Sequence, residues 1–173
     1  NQIVGPIKLK RLLALMERAR VRVAVDTPEV AAGLNGAMAE AGKTLDVIIE
    51  LNTGQDRAGI KPGAEALQLA ETIRAEMPSL RVIGLMTHEG QVNNTDDVAS
   101  MTATAKAAGA DIVTSAELLR EHGFDITVVS VGSTPAAFAT TTVEGVTEMR
   151  PGTYVFNDRN YFKYGTTVED CAL

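Results

Sequence analysis

Side chains able to bind anions or move protons follow five short apolar runs in this sequence. They are Asp26 after residues 21–25, Arg57 in NTGQDRAGI after 45–51, His88 in THEGQ at the end of 81–87, Ser133 in GSTP after 126–131, and Arg150 after 146–149. Histidine transfers protons near neutral pH, while arginine and hydroxyl groups bind anions. In parallel α/β folds such residues, at the carboxyl ends of strands, form the ligand site.

Two of these stretches, GSTP at 132–135 and PGT at 151–153, have the composition of an anion site. Small residues leave backbone N–H groups accessible, and such donors bind phosphate without lysine. In β/α barrels the loops after the last two strands commonly hold a phosphate. Each stretch alone is more simply interpreted as a tight turn, but their position after consecutive strands favours a phosphate site.

The charged residues have simpler interpretations when each is taken alone. A lone histidine such as His88 is most often a core or surface residue, and Arg57 is most often part of a surface ion pair. Arg150 could pair with Glu148 or with an acid from a helix. Glu89 is expected in a solvated loop.

The elements that must position these residues alternate between strands and helices. The five apolar runs predict strands, residues 2–4 could form the end of another, and Ala-rich helical segments lie between them. Nearly continuous apolar strands are typical of a parallel sheet covered on both faces. The sequence thus predicts an α/β fold with right-handed crossovers, either a doubly wound sheet or part of a barrel. No G-x-G-x-x-G follows a strand, which weakens the dinucleotide-binding interpretation.

Helix boundaries follow from cap residues, proline and apolar spacing. Thr27 is predicted to cap the second helix and Pro62 to open the third. Thr95 or Asp96 is predicted to open a long fourth helix. Apolar residues at steps of three and four favour one helix to about His122 over two helices broken at AGAD.

Composition limits the partners and the compartment. The 173 residues carry a formal net charge of −6, which argues against a nucleic-acid partner, because phosphate neutralisation needs clustered lysine and arginine. No apolar run is long enough to suggest a membrane span. The single cysteine, Cys171, cannot form an internal disulfide, which fits a reducing cytoplasm, and its apolar neighbours predict that it is buried.

Four stretches, taken in order, resemble a known family. GQDRAGI, GLMTHEG, VVSVGSTP and EMRPGTYVFND resemble the alanine-racemase-type pyridoxal phosphate (PLP) barrel of fold type III, and in particular its D-threonine aldolase and D-serine dehydratase branch. NQIVGP and VEDCAL, near the two ends, are similar to that branch too. The resemblance implies a partial (β/α)8 barrel of the TIM type that lacks the first strands. It implies the C-terminal part of the barrel at residues 1–163 and the start of a β domain at 164–173.

The resemblance also implies which residues act on PLP. Arg57 would hydrogen-bond its phenolic oxygen and His88 would pack on its ring, both as catalytic residues, although many aldolase-branch members carry tyrosine at the place of His88. Arg150 would face the pyridine nitrogen. Because arginine keeps its proton, that nitrogen would stay an acceptor and the ring would be a weaker electron sink. The phosphate would be held by Gly132, Ser133, Gly152 and Thr153, with Tyr154 beside them.

The resemblance further implies that this chain is a fragment that is inactive alone. Its lack of an initiator Met suggests a fragment or a processed chain. The family's lysine that bonds PLP lies on the first strand, which the chain lacks, and none of its six lysines ends a predicted strand. The aldolase branch binds a divalent metal (Mn, Mg or Zn) through its β domain. No His or acid here has metal-ligand spacing, so no metal ligand is assigned.

For the intact protein the resemblance implies a PLP-dependent lyase. It would cleave D-threonine-like substrates to glycine and an aldehyde, or dehydrate D-serine. YVFND favours the lyase over an amino-acid racemase of the same fold, and a non-catalytic PLP-binding protein is the other alternative. The expected partner is a small D-amino acid, without nucleic acid or membrane, and the family alone suggests a homodimer.

Overall fold

A computed structural model describes residues 2–172, so Asn1 and Leu173, which the sequence assigned to the barrel and to the β domain, lie outside the described residues. Five strands alternate with five helices. In chain order they are α1 (Pro6–Met16), β1 (Arg22–Val25), α2 (Pro28–Glu40), β2 (Leu45–Leu51), α3 (Ala64–Glu76), β3 (Leu80–Thr87), α4 (Val98–Glu121), β4 (Val128–Val131), α5 (Ala137–Thr140) and β5 (Glu148–Met149). Short 3-10 helices cover Gly90–Asn94, Thr153–Val155, Arg159–Tyr164 and Val168–Asp170.

The strands form one parallel sheet in the order β1-β2-β3-β4-β5. A doubly wound sheet reverses its strand order at a switch point, whereas here every crossover adds the next strand on the same side. Since crossovers between parallel strands are right-handed almost without exception, this strand order is that of a β/α barrel wall. The α/β prediction is confirmed, and the barrel is favoured over the doubly wound alternative.

The five predicted strands are confirmed, but the suggested strand at residues 2–4 is wrong. That segment is irregular and has no ladder partner in the part of the chain that the structure describes. The side-chain amide of Gln2 lies 3.5 Å from a carboxylate oxygen of Glu50, so the segment contacts the sheet without joining it.

Helix α2 begins as its sequence predicts. Thr27 is extended, and its side-chain oxygen accepts a hydrogen bond from the backbone N–H of Val30 at 3.2 Å. Pro28 fits the first turn because its missing N–H would have no helical partner there. Gly42, with a φ of 63°, follows the helix in the left-handed region that favours glycine.

Helix α4 is a single helix, as predicted, but its cap lies later than expected. Asp97, rather than Thr95 or Asp96, accepts the backbone N–H of Ser100 at 2.7 Å, and Ser100 completes the capping box. Helix α3 likewise begins after Pro62, at Ala64, because Gly63 forms the turn before it. No helix within residues 2–172 has the length and apolar character needed to cross a membrane.

The core lies between the helices and one face of the sheet. The strands contribute Val23, Val25, Val47, Ile49, Leu85, Val129 and Val131, and the helices contribute Leu34, Met38, Leu69, Ile73, Ile112 and Leu119. Because alternate strand residues point to opposite faces, the other face carries a second set of side chains, among them Asp46, Glu50, Ser130 and Glu148. This second face, called the concave face below, is charged.

The concave face is curved. Arg22 of β1 forms an ion pair with Glu148 of β5, although these strands lie at opposite ends of the sheet order. In a flat sheet four strand spacings would separate them by about 19 Å, which is farther than two side chains reach. The sheet therefore bends into a trough, as in a barrel wall.

Residues 165–172 are described as turns and one 3-10 helix, and no strand is found among them. Tyr164, just before them, donates its hydroxyl to the carbonyl of Val92 at 2.8 Å. Cys171 is half-buried, so the expectation of a buried cysteine is wrong, because its neighbours on the chain remain exposed. The β domain predicted to start here stays a prediction.

Candidate functional site

The carboxyl ends of the strands bring the sequence-predicted residues together. Asp26, after β1, accepts the N–H of Gly59 in the loop that carries Arg57, at 3.2 Å. His88, after β3, hydrogen-bonds through Nδ1 to the carbonyl oxygen of Gly132, next to Ser133. Arg150, after β5, donates from Nη2 to the carbonyl oxygen of Thr87 at 2.5 Å. The predicted convergence on one edge is confirmed as geometry, whereas the roles of these residues stay predictions.

Arg150 is held by one side of its guanidinium group. Its Nε donates to the hydroxyl of Ser130 at 2.8 Å, while Nη2 bonds Thr87 and lies 3.5 Å from the Ser130 carbonyl oxygen. Within residues 2–172, Nη1 has no hydrogen-bond partner and no carboxylate lies within 4.0 Å of the group. Burial lowers the pKa of Arg150, and the charges of nearby Glu89, Glu148 and Glu50 oppose that effect. The alternative ion pair with Glu148 is not formed, so one edge of a half-buried cation is left for a ligand.

A chain of polar contacts on the concave face orients Arg150. The hydroxyl of Ser130 accepts from Arg150 and donates to Glu148 at 2.6 Å, and Glu148 pairs with Arg22. Burial acts to raise the pKa of Glu148, but the bonds from Ser130 and Arg22 outweigh it and leave that pKa below its ordinary value. The carboxylate is therefore ionised near neutral pH, and it fixes which way the Ser130 proton points.

Two neighbouring side chains hold both backbone groups of Gly132. His88 bonds its carbonyl, and both carboxylate oxygens of Glu89 accept its N–H, each at 3.1 Å. Glu89 has no exposed surface, so its expected place in a solvated loop is wrong. Glu89 is buried because the chain turns inward directly after β3. The sequence signal for this burial was only the position of Glu89 beside His88, in the stretch that resembles the family.

The hydrogen bond to Gly132 fixes the tautomer of His88. A carbonyl oxygen only accepts, so Nδ1 carries the proton and the Nε2 of the neutral ring is an acceptor. Burial lowers the pKa of His88, and the charges of Arg57 and Arg150 lower it further, while the bond to Gly132 acts in the opposite direction. At neutral pH the ring is consequently uncharged, and its acceptor nitrogen Nε2 has no hydrogen-bond partner within residues 2–172.

The predicted phosphate turns keep some of their donors free. The N–H groups of Ser133 and Gly152 have no partner within residues 2–172. The N–H of Thr153 donates to the Thr134 hydroxyl at 3.0 Å, which leaves the exposed Thr153 hydroxyl as its available group. Tyr154 is 59% exposed. Free N–H groups on two adjacent turns fit an anion such as phosphate.

Arg57 lies on an ordered loop. The side-chain oxygen of Asn52 accepts the N–H groups of Gly54 and Asp56, at 3.0 and 3.1 Å. The amide of Gln91 donates to the Thr53 carbonyl at 2.7 Å, which ties this loop to the segment after β3. The Arg57 side chain itself is exposed and makes no hydrogen bond to residues 2–172.

A cavity of about 840 Å³ opens beside Arg150. Its wall includes Thr134, Phe138, Met149, Tyr154 and Tyr161. This volume lies within the range of small-molecule sites, and an apolar wall with a few polar groups is typical of them.

The described residues do not build a metal centre, and two of their lysines are held by other groups. Within residues 2–172 no three His, Cys, Asp or Glu side chains cluster as metal ligands. Lys61 is exposed and pairs with Glu65 at 3.6 Å, and Lys163 donates to the Asn93 carbonyl at 2.8 Å.

Known proteins resemble the chain over nearly its whole length. It is 34% identical to D-threo-3-hydroxyaspartate dehydratase of Delftia sp. (strain HT23) over 98% of the chain and 45% of that protein. It is 31% identical to D-threonine aldolase of Arthrobacter sp over 93% of the chain and 42% of that protein. The crystal structure of D-threonine aldolase from Filomicrobium marinum superposes with a TM-score of 0.84 at 31% identity, covering 100% of this chain and 46% of that one.

The chain thus spans less than half the length of these relatives. The family described as alanine racemase, N-terminal domain, matches residues 2–160. Sequential parallel strands, the ordered stretches at their carboxyl ends and this match agree over almost the entire chain. The chain belongs to the alanine racemase N-terminal domain family.

Proposed function

We propose that this chain forms the cofactor-facing part of a PLP-dependent lyase of β-hydroxy D-amino acids. The observation that carries the proposal is the free Nη1 edge of Arg150 beside a turn with free N–H donors. Together they offer a fixed cation and an anion site, which a phosphorylated pyridine ring needs. The relatives named above include an aldolase and a dehydratase that act on such amino acids.

The residues present fit PLP. The absence of a Cβ at Gly132 gives the guanidinium of Arg150 its place, since an added Cβ would lie 3.1 Å from its Cζ and Nη1. Ser133 and Gly152 would donate their N–H groups to the phosphate, and the Thr153 hydroxyl and Tyr154 would border it. Arg150 would donate from Nη1 to the pyridine nitrogen, and Arg57 would bind the phenolic oxygen.

Bound PLP supplies an electron sink for negative charge at the Cα of the amino acid. The chain's own residues set how strong that sink is and keep the ring in place. Arg150 keeps its proton, so the pyridine nitrogen remains an acceptor. His88, uncharged and fixed by Gly132, would present a flat neutral ring to the cofactor without adding positive charge.

The substrate proposal follows from the relatives. D-threonine would be cleaved between Cα and Cβ to glycine and acetaldehyde, and D-serine or 3-hydroxy-D-aspartate would lose water. A divalent metal is left out of these steps, because the residues described here do not fit a metal site. The β domain, a homodimer and a cytoplasmic location likewise stay proposals, as does the absence of nucleic-acid and membrane partners.

An assay of the full-length protein tests the proposal. Purified protein supplied with PLP is incubated separately with D-threonine, D-serine, D-threo-3-hydroxyaspartate, and D- or L-alanine. Acetaldehyde with glycine, or a keto acid with ammonia, supports the lyase. Loss of optical activity from alanine without those products would assign a racemase, and PLP binding without turnover of any of them would assign a carrier.

A further inference from the structure

We infer that Glu89 is a positioning residue that holds the anion-binding turn through the backbone of Gly132. This inference rests on the proposed function, since it concerns how the turn at Gly132–Thr134 meets the phosphate of PLP. It adds a residue that contacts neither the ring nor the phosphate in that proposal.

The contact itself is specific. Both carboxylate oxygens of Glu89 lie 3.1 Å from the nitrogen of Gly132, and His88 holds the carbonyl of the same residue. Because both peptide groups of Gly132 are held by side chains after β3, the turn after β4 cannot rotate freely. The next N–H, that of Ser133, is the first free donor of the turn.

Gly132 is the point where this constraint matters most. An added Cβ would lie 3.0 Å from the Cβ of Arg150, so Gly132 packs directly against that side chain. A glycine has more conformational freedom than any other residue and would lose order most easily. The hydrogen bonds from Glu89 and His88 restrict the backbone of Gly132 in place of a side chain of its own.

Glu89 is not held here by an ion pair. A buried carboxylate is costly without a cation or hydrogen bonds, and within residues 2–172 Glu89 forms no ion pair, although the charge of Arg150 favours its ionised form from beyond ion-pair distance. Its negative charge would also repel a phosphate bound to the adjacent turn. Removal of that charge should therefore strengthen anion binding, unless Glu89 contributes through the position of Gly132.

If Glu89 acts only through its charge, its removal should strengthen phosphate binding, whereas if it positions Gly132, its removal should weaken phosphate binding. Glu50 provides a matched control. Glu50 is also buried, faces the same concave surface and lies near Arg150, but it has no bond to Gly132. E50Q removes a similar charge and leaves the turn untouched. E89Q keeps the side-chain shape, but only one of its two terminal atoms can accept the Gly132 N–H.

The experiment compares PLP with pyridoxal, which lacks the phosphate, on the full-length apoprotein by calorimetric titration. The dissociation constant of pyridoxal divided by that of PLP isolates the phosphate contribution, and a larger ratio means a larger contribution. We expect the ratio to fall about tenfold in E89Q, as for a lost charge-assisted hydrogen bond. E50Q should keep or increase it. An unchanged or larger ratio in folded E89Q would overturn the inference.

Two further measurements cover the remaining outcomes. Hydrogen exchange of the Gly132 amide, which needs no cofactor, should accelerate in E89Q and not in E50Q; equal protection in both would also overturn the inference. Should E89Q fail to fold, Glu89→Asp keeps the charge on a shorter side chain and should lower the ratio as well. A wild-type protein that binds PLP no better than pyridoxal would refute the proposed function itself, together with the inference.

Discussion

The guanidinium of Arg150 occupies the space that a side chain at Gly132 would need. An added Cβ would lie 3.0 Å from the Cβ of Arg150 and 3.1 Å from its Cζ. Gly132→Ala should therefore displace the guanidinium and weaken its bonds to Ser130 and Thr87. We expect a loss of about 1–3 kcal/mol in the free energy of unfolding, as for an overpacked core. Urea unfolding monitored by circular dichroism gives this value.

Gly33 supplies the matched control. It is exposed in the middle of α2, and an added Cβ would meet no atom within 4 Å. Gly33→Ala should stabilise the protein by about 0.5–1 kcal/mol, because alanine restricts the unfolded chain more than glycine does. A Gly132→Ala variant as stable as wild type would mean that Arg150 is not confined by this glycine.

The ion pair between Arg22 and Glu148 joins the first and the last strand of the sheet, and its contribution is measurable. Both side chains are about one-third exposed, at 36% and 33%, so solvent screens the pair. We expect a coupling energy of about 0.2–1 kcal/mol from a double-mutant cycle of R22A and E148Q in urea. High salt should reduce the coupling. A coupling energy of zero at low salt would show that the ion pair between Arg22 and Glu148 does not stabilise the contact between β1 and β5.

Burial of Glu89 gives a pH dependence with a defined sign. Burial raises the pKa of this carboxyl, while its own N–H, the Gly132 N–H and the charge of Arg150 oppose the rise. The native state then holds its proton more tightly than the unfolded chain. Stability from this group is complete below the ordinary glutamate pKa of about 4.3 and is lost as pH rises through the folded value. E89Q should flatten that decline in urea unfolding curves recorded from pH 4 to 8.

Asp97 offers the opposite slope as a control. The hydrogen bonds from the backbone and side chain of Ser100 lower the pKa of Asp97. Its contribution is therefore present above the ordinary aspartate pKa of about 3.9 and is lost as pH falls through the folded value. Asp97→Asn should alter only the acid side of the stability profile. A decline with rising pH that E89Q leaves in place would show that another group causes it.

Much of the fold could be predicted because local rules suffice for it. Thr27 before Pro28 marks a helix start from two residues, and the apolar runs mark five strands from their composition. The cap of α4 was missed because Thr95, Asp96 and Asp97 are all acceptable caps, and only contact with Ser100 selects among them. The strand order also required structure, since the sequence pattern fits a doubly wound sheet as well as a barrel.

Like the fold, the candidate site could be predicted from the sequence only in part. Arg150 and His88 stood out because each directly follows an apolar run, at the strand end where parallel α/β folds bind ligands. Glu89 was missed because its burial depends on Gly132, which lies 43 residues further along the chain. Likewise, no local pattern reveals that Glu148 pairs with Arg22 and so leaves Arg150 without an ion pair among residues 2–172. Contacts between side chains of distant strands come from the curvature of the sheet.

Arg150 is proposed to place a permanent positive charge beside the pyridine nitrogen of PLP. In the full-length protein with PLP bound, Arg150→Gln removes the permanent cation and keeps a polar side chain. The pyridine nitrogen would then accept a proton more readily, because a neighbouring positive charge disfavours protonation. We expect the absorbance maximum of the PLP-bound protein with saturating D-threonine to shift to longer wavelength. Arg150→Lys keeps the charge but loses the planar guanidinium, and should shift the maximum less.

Stability measurements on the two Arg150 variants distinguish the proposed role at the pyridine nitrogen from a purely structural role. Both variants lose the guanidinium bonds to Ser130 and Thr87, so both should be destabilised by about 1–3 kcal/mol, as for partly buried bonds to a charged group, and should unfold at lower urea concentration. If Arg150 served only these bonds, the two variants would lose stability while the spectra of bound PLP stayed equal to wild type. Identical spectra at full PLP occupancy would therefore show that Arg150 does not face the ring nitrogen, even if both variants were destabilised.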